Sequence, residues 1–298
     1  MQKNWLAFLI ILLFSGCKKE DPEIFLDETL SIPINGKSGV DNGIKMHNPI
    51  FNFITIDKFL SYLAASDHFL LVEEKDFEKT NSTDKVVLSL RHDIDNNINA
   101  SIKFAYLENK YGIHASYFVL HTAPYYGVTK YKYFKRNDDI IYYLKKIQDS
   151  FGHEVGWHND LVTLQVMYGL DPKVFLKTEL GWLRENGIKI FGTTSHGSDY
   201  CHIYHYVNSY FWADVKGDSV GNYYNWQYIK KGFSTFKIEK DSLKDYNFEY
   251  EGSLLHYDYF FADSDFPLGK RWNMGMVNLD TIKPGKKVII LLHPQHWD

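Results

Sequence analysis

The stretch Lys85–Asp95, which reads Lys-Val-Val-Leu-Ser-Leu-Arg-His-Asp-Ile-Asp, decides the fold. Val86–Leu90 is largely apolar and begins with two β-branched residues, which is typical of a buried parallel strand. The run ends in charged side chains that include Asp93 and Asp95. In an open α/β sheet or an α/β barrel, the residues just past the carboxyl end of a strand face the ligand crevice. We therefore expect the two aspartates to lie in a functional site.

Helical and strand patterns alternate along the rest of the chain. Helices are predicted at Ile56–Ala65, Asn96–Tyr111, Asp138–Phe151 and Asp171–Asn186. Further strands are predicted at Phe69–Val72, His114–Leu120, Glu154–His158, Ile188–Phe191 and Val288–Leu292. This alternation predicts a parallel sheet with right-handed crossovers, and therefore an α/β fold.

Several of the predicted strands end in side chains that can bind a metal ion. Glu154–His158 runs into Asn159-Asp160, His196 follows the next strand, and the last strand runs directly into His293. Because the carboxyl ends of parallel strands share one edge of a sheet, these side chains are expected to converge. A catalytic metal site needs about three such protein ligands and one open position.

The composition excludes some partners. The chain has 298 residues, of which 45% are hydrophobic and 23% charged, so it can bury one large core such as an α/β barrel. The net charge of −4 and the lack of a basic run argue against nucleic acid. Cys17 and Cys201 are the two cysteines, and no disulfide framework is expected.

The N-terminus resembles a lipoprotein export signal. Trp5–Phe14 is an apolar run too short to span a bilayer, and Phe14-Ser15-Gly16-Cys17 resembles a bacterial lipobox. We expect residues 1–16 to be a signal peptide, 17–45 a tether anchored by lipid such as palmitate on Cys17, and 46–298 the catalytic domain. A plain secretory signal with a stray cysteine is the alternative. Lys18–Asp21 resembles an acidic surface-export signal, so the expected location is the outer membrane of the bacterial envelope, on its outer surface.

Four motifs resemble those of the polysaccharide deacetylase family, the NodB homology domain of carbohydrate esterase family 4. They are Arg91-His92-Asp93-Ile94-Asp95, Ala115-Ser116-Tyr117-Phe118, Gly152-His153-Glu154-Val155-Gly156-Trp157-His158 and Leu291-Leu292-His293-Pro294. They occur in the order of the family, over about Val86 to Trp297, in the form of its His-Asp-Val/Ile-Asp branch. The resemblance implies a distorted (β/α) barrel of parallel strands in a single catalytic domain.

The resemblance also implies a reaction and roles for residues. The reaction is removal of acetyl groups from an N- or O-acetylated polysaccharide, with one divalent metal ion, Zn²⁺ or a similar ion. By position, Asp93 matches the general base and His293 the general acid. Asp95 and His158 match metal ligands.

The chain departs from the family at three places. Ile94 separates two aspartates that are usually adjacent, and along an extended chain this puts Asp93 and Asp95 on the same side. Val162 stands where the family has its second metal-binding histidine, and the usual Arg-x-Pro-Tyr motif is absent. We expect His196 to replace the missing ligand, with Asp160 as the second candidate.

The residues that would bind the substrate are harder to predict. Arg271 and Trp272 belong to a loop that could grip sugar hydroxyls, and Trp297 follows His293-Pro294 at the same mouth. A solvated loop and a frayed C-terminus are the alternatives. Two other functions also stay open: a non-catalytic glycan-binding lipoprotein that has lost the metal, and a metal-dependent amidohydrolase for a small amide. The retention of the four catalytic and metal-binding residues named above favours the deacetylase.

Overall fold

A sheet of eight parallel strands forms the centre of the computed structural model, which describes residues 56–216, 225–263 and 279–297. Its strands are β1 (Phe69–Leu71), β2 (Val86–Ile94), β3 (Ser116–Leu120), β6 (Glu154–Asn159), β7 (Ile190–Ser195), β8 (Tyr250–Glu251), β9 (Tyr259–Ala262) and β10 (Lys287–Leu292). The spatial order is β8-β7-β6-β3-β2-β10-β9, with β1 beside β2. A separate antiparallel hairpin consists of β4 (Gly127–Lys130) and β5 (Tyr133–Arg136). The predicted α/β class is confirmed, and the parallel sheet curls into a half-barrel.

Helices and short helical turns connect the strands. The α-helices are α1 (Ile56–Ala65), α2 (Glu74–Phe77), α3 (Ile98–Lys110), α4 (Ile140–Lys145), α5 (Leu161–Val166), α6 (Pro172–Glu185), α7 (Asp199–Ile203) and α8 (Trp226–Lys230). A π-helical turn, Lys146–Ser150, continues α4, and the chain ends in the 3-10 turn Pro294–His296. Within the described ranges, no helix has the length and apolar character needed to cross a membrane.

Strand β2 organises the sheet. All nine of its residues are buried. It pairs with β10 along one edge, and its other edge pairs with β1 over Val86–Leu88 and with β3 over Arg91–Ile94. An apolar strand with neighbours on both edges satisfies its backbone hydrogen bonds while burying both faces, as its sequence predicts.

The inner side of the curled sheet has an apolar floor. Val87, Phe118, Tyr250 and Ile289 pack together there with residues of the connections. Gly192 on β7 makes room for one of these rings, because a Cβ at this position would lie 2.0 Å from Cζ of Tyr250. Since side chains alternate along a strand, the residues of β2 on the same side as Val87 include Arg91 and Asp93, further toward the carboxyl end. The charged groups therefore lie above this floor.

The opposite side of β2 packs against α3. Nε2 of His92 lies 2.7 Å from Oε1 of buried Glu108, and the hydroxyl of Tyr117 donates to Oε2 of Glu108. His153 bridges the same layers, with Nε2 2.8 Å from the carbonyl of Ala105. His92 and His153 thus hold α3 on the sheet and face away from Asp93.

Most predicted elements are found, with small shifts in their ends. The side chain of Asn97 caps α3 by accepting from the Ala100 amide, and Gly112 follows the helix at φ +68°. The loop predicted after β3 contains the hairpin β4–β5, which was missed. The elements between Ser198 and Ala262 were also missed, because they are short and have no clear periodicity.

Candidate active site

Three side chains from the ends of three strands converge on one point. Asp95 follows β2, His158 lies near the end of β6, and His196 follows β7; one ligand atom of each lies within 4.8 Å of the others. Oδ1 of Asp95 lies 3.5 Å from Nε2 of His158 and 3.9 Å from Nε2 of His196. Ligands about 2.1 Å from a tetrahedral zinc ion lie about 3.4 Å from one another, so these separations are close to those of a metal site.

The polar atoms of this cluster fit a divalent cation. Oδ1 of Asp95 is buried and has no hydrogen-bond partner among the described residues. Nδ1 of His158 lies 3.0 Å from the hydroxyl of Thr194, and Nδ1 of His196 lies 3.2 Å from Oδ2 of Asp160. With the proton on Nδ1 of each ring, both Nε2 lone pairs face Asp95. Such outer hydrogen bonds typically orient metal-binding histidines.

Asp160 lies behind His196. Its Oδ1 accepts from the Thr163 amide at the start of α5 and from the side chains of Ser198 and Asn208. Burial raises the pKa of Asp160, but the hydrogen bond and charge of His196 lower it by more. The carboxylate is therefore ionised. In return, Asp160 raises the pKa of His196 against the opposing effect of burial. This geometry favours His196 over Asp160 as the ligand and makes Asp160 the group that orients it.

Val162 stands where the resemblance to the deacetylase family would place a second metal-binding histidine. It lies on α5, and its side chain packs in a buried cluster with Cys201, Tyr206 and Phe236. Asp160 caps this helix, so the residue four places after His158 points into an apolar core. The third side chain of the cluster therefore comes from the end of β7 rather than from α5.

Asp93 is held by the arginine two residues before it. Nε and Nη2 of Arg91 donate to Oδ1 and Oδ2 of Asp93 at 2.8 and 2.7 Å. Oδ2 of Asp93 also lies 3.4 Å from Nε2 of His158, so Asp93 and Asp95 reach the same ring, as the alternation of β2 predicts. Burial raises the pKa of Asp93, but the charges of Arg91 and His158 lower it well below its usual value.

Three further buried carboxylates lie near this pair: Glu74 and Glu251 interact with the charge of Arg91, and Glu154 interacts with Glu74. Burial raises the pKa of Glu74 to about 8 and those of Glu154 and Glu251 to about 7. Glu154 accepts hydrogen bonds from the hydroxyls of Ser116 and Tyr250, whereas both oxygens of Glu74 have no partner in the described part of the chain. The single positive charge of Arg91 cannot neutralise all of these acids. Because their pKa values are raised to 7 or above, the three glutamates are partly protonated at neutral pH.

His293 is paired with an aspartate at the other side of the site. Its Nδ1 lies 2.5 Å from Oδ1 of Asp263, and its backbone amide donates to Oδ2 at 2.7 Å. Burial lowers the pKa of His293, but the hydrogen bond and charge of Asp263 raise it to about 9. Nε2 of the ring lies 3.6 Å from Oδ2 of Asp95, so the ring borders the cluster of Asp95, His158 and His196.

Asp263 also contacts side chains of the turn that follows His293. The indole nitrogen of Trp297 donates to its Oδ2 at 3.0 Å, and Nδ1 of His296 lies 3.3 Å from the same oxygen. Asp263, His293 and His296 are close enough for an ion, but these donors already occupy both oxygens of Asp263. Trp297, a predicted substrate contact, is 4% exposed, and its indole nitrogen is bonded to Asp263, so its binding to a substrate stays a prediction.

Sequence reasoning missed two of the residues that orient the site. Arg91 stands in the quoted motif and Asp263 eight residues before Arg271, but no pattern indicated that each would pair with a predicted catalytic residue. Arg271 and Trp272, the candidate substrate-binding residues, lie outside the described residues, as do Cys17 and the predicted signal peptide and tether.

Comparisons with known proteins add little to this geometry. No family model matches the chain, and no curated protein matches it. Among solved structures, a family 4 carbohydrate esterase from Bacillus anthracis is 11% identical, over 79% of this chain and 77% of that one, with a TM-score of 0.32. A likeness of this size does not establish a family, and the function has to be argued from the site.

Proposed function

We propose that this protein is a metal-dependent deacetylase that removes acetyl groups from an N- or O-acetylated polysaccharide. The observation that carries the proposal is the convergence of Asp95, His158 and His196 between two oriented acid–base groups. One group is Asp93, held by Arg91, and the other is His293, held by Asp263.

Each of these residues has a separate task in acetyl hydrolysis. A divalent ion held by Asp95, His158 and His196 would supply Lewis acidity that polarises an acetyl carbonyl. Asp93 would accept a proton from the attacking water. His293 would donate its Nε2 proton to the departing amine or hydroxyl, so that acetate and the free sugar group leave. Two imidazoles and one carboxylate suit zinc and similar borderline ions.

The cellular setting is a further part of the proposal. A lipid on Cys17 would anchor the protein in the bacterial envelope, at the outer membrane, where acetylated polysaccharides are accessible. The lipobox-like sequence at Phe14–Cys17 supports this location. Arg271 and Trp272 remain the proposed contacts with the sugar chain.

The first experiment is metal analysis of the purified full-length chain after reloading with Zn²⁺ and dialysis without chelator. The wild type should retain about one equivalent, and His158→Ala and His196→Ala should each lose it. His256→Ala is the control, since this exposed histidine pairs with Glu78 on the surface. Acetate release from acetylated glycans should follow metal content. A wild type that binds no ion would reject the mechanism and favour glycan binding without catalysis.

A further inference from the structure

The hairpin β4–β5 carries a concentration of positive charge. Between Gly127 and Arg136 the chain has three lysines and one arginine and lacks acidic residues, whereas the whole chain has a net charge of −4. The basic residues are Lys130, Lys132, Lys135 and Arg136. A local charge opposite to that of the whole protein attracts anionic ligands to that place.

The two faces of the hairpin differ. Phe134 packs over Gly127 on the inner face, and Arg136 on that face forms a bidentate ion pair with Glu179. On the outer face, cross-strand pairing places Lys130 opposite Tyr133 and Val128 opposite Lys135. Tyr133 is 50% exposed and Val128 54%. The outer face therefore combines open apolar surface with lysines.

The tip of the hairpin is rigidly held. The amide of Lys132, which has φ +56°, donates to the carbonyl of Tyr168 at 2.6 Å. The ring of Tyr131 rests on the backbone of Gly169, where a Cβ would lie 2.7 Å from Cε2, and yet Tyr131 is 69% exposed. An exposed ring that is already fixed loses little conformational entropy when it binds a ligand.

The tip is connected to the candidate active site by α5. This helix is capped by Asp160, which contacts His196, and nine residues later Gly169 supports Tyr131. Because α5 ends at Val166, six steps at about 1.5 Å and three extended steps at about 3.4 Å place Gly169 at most roughly 20 Å from Asp160. The hairpin and the active site also both follow carboxyl ends of strands, so they lie at the same edge of the sheet. A polymer of a few sugar units can span them.

We propose that the outer face and tip of this hairpin bind an acidic polysaccharide, whose acetyl groups are thereby presented to the active site. Tyr131 and Tyr133 would pack against the apolar faces of sugar rings, and the three lysines would pair with carboxylate or sulfate groups. The inference deepens the proposed function, on which it rests for the reaction, and specifies an anionic rather than a neutral glycan.

Affinity electrophoresis of the full-length chain tests the inference, with polygalacturonate as acidic probe and dextran as neutral probe. Tyr131→Ala/Tyr133→Ala should bind polygalacturonate about tenfold more weakly than wild type. Replacing Lys130, Lys132 and Lys135 with glutamine should remove the preference over dextran. The matched control is Tyr142→Ala/Lys146→Gln on α4 and the turn that continues it, where Nζ of Lys146 lies 4.9 Å from the ring centre of Tyr142. Equal binding by hairpin and control variants would overturn the inference.

Two further measurements separate the alternatives. In sedimentation with phosphatidylglycerol–phosphatidylcholine vesicles, the hairpin and control variants should bind the vesicles equally. If only the hairpin variants lose vesicle binding, the hairpin binds membranes and the inference is overturned. On O-acetylated polygalacturonate, the hairpin variants should show a raised KM, with unchanged hydrolysis of p-nitrophenyl acetate. Hairpin-dependent binding by a chain that releases no acetate would reject the deacetylase but retain the polysaccharide site. If the chain releases acetate but its binding to polygalacturonate does not depend on the hairpin, the deacetylase is retained and the polysaccharide site on the hairpin is rejected.

Discussion

Oδ1 of Asp263 lies 2.5 Å from Nδ1 of His293, and the same carboxylate accepts the backbone amide of His293. This pairing sets both the orientation and the charge of the proposed acid. A histidine with an ordinary pKa of about 6.5 would be mostly neutral at pH 8. His293, with its pKa raised to about 9, remains protonated there.

Asp263→Asn should therefore shift the alkaline limb of the pH–rate profile. The raised pKa keeps the acid protonated up to about pH 9, and loss of the aspartate should lower that limit toward 7. Activity should fall most at pH 8 to 9 and least near pH 6. Acetate release as a function of pH measures the shift, with Asp149→Asn on the surface as control. An unchanged alkaline limb would contradict the pairing.

Arg91→Lys should reduce turnover without removing the metal. Lysine cannot form the two parallel hydrogen bonds that hold Asp93, so the proposed base loses its fixed position. We expect kcat to fall about 10- to 100-fold with little change in KM. Metal content and circular dichroism should match the wild type, and Arg184→Lys serves as the control. A fall in metal content equal to the fall in kcat would show that Arg91 acts on the metal site instead.

Asp160→Asn should weaken metal binding. The amide can still cap α5, but it no longer holds the Nδ1 proton of His196 with a full charge. Such changes typically reduce metal affinity about 10- to 100-fold. Competition with a chromophoric chelator measures the affinity. Asp171→Asn is a close control, because Asp171 caps α6 in the same way and is not part of the cluster.

Glu74→Gln should stabilise the protein at alkaline pH. The pKa of this buried acid is raised from 4.5 to about 8 in the folded state, so its contribution to stability is complete below pH 4.5 and disappears as pH rises through 8. The variant avoids burying that charge and should gain up to about 5 kcal/mol in free energy of unfolding at pH 8.5, because the pKa rises from 4.5 to about 8 and each pKa unit corresponds to about 1.4 kcal/mol. Urea unfolding from pH 5 to 8.5 tests this, with exposed Glu185→Gln as control. Parallel pH curves for wild type and Glu74→Gln would contradict the assigned shift.

The sequence pattern was sufficient to predict six of the eight strands of the sheet and the strand ends at which the candidate site residues lie. A buried strand that ends in Asp93 and Asp95, followed by helices and strands in alternation, requires parallel crossovers and brings strand ends together. The alternation of side chains along β2 likewise predicts that both aspartates lie on one side. These features follow from local periodicity and connection length, and both can be read from residues that are neighbours in the sequence.

The partners of the site residues depend on packing between distant segments. Val162 and His196 are 34 positions apart in the sequence. Only the tertiary structure shows that Val162 is buried with Cys201 and Phe236, so that the third side chain of the proposed metal site comes from the end of β7. The sequence predicts Trp297 at the mouth of the site, and only the tertiary structure shows that its buried indole nitrogen donates to Asp263. Contacts of this kind arise from the curvature of the sheet and the filling of its interior, which no sequence period encodes.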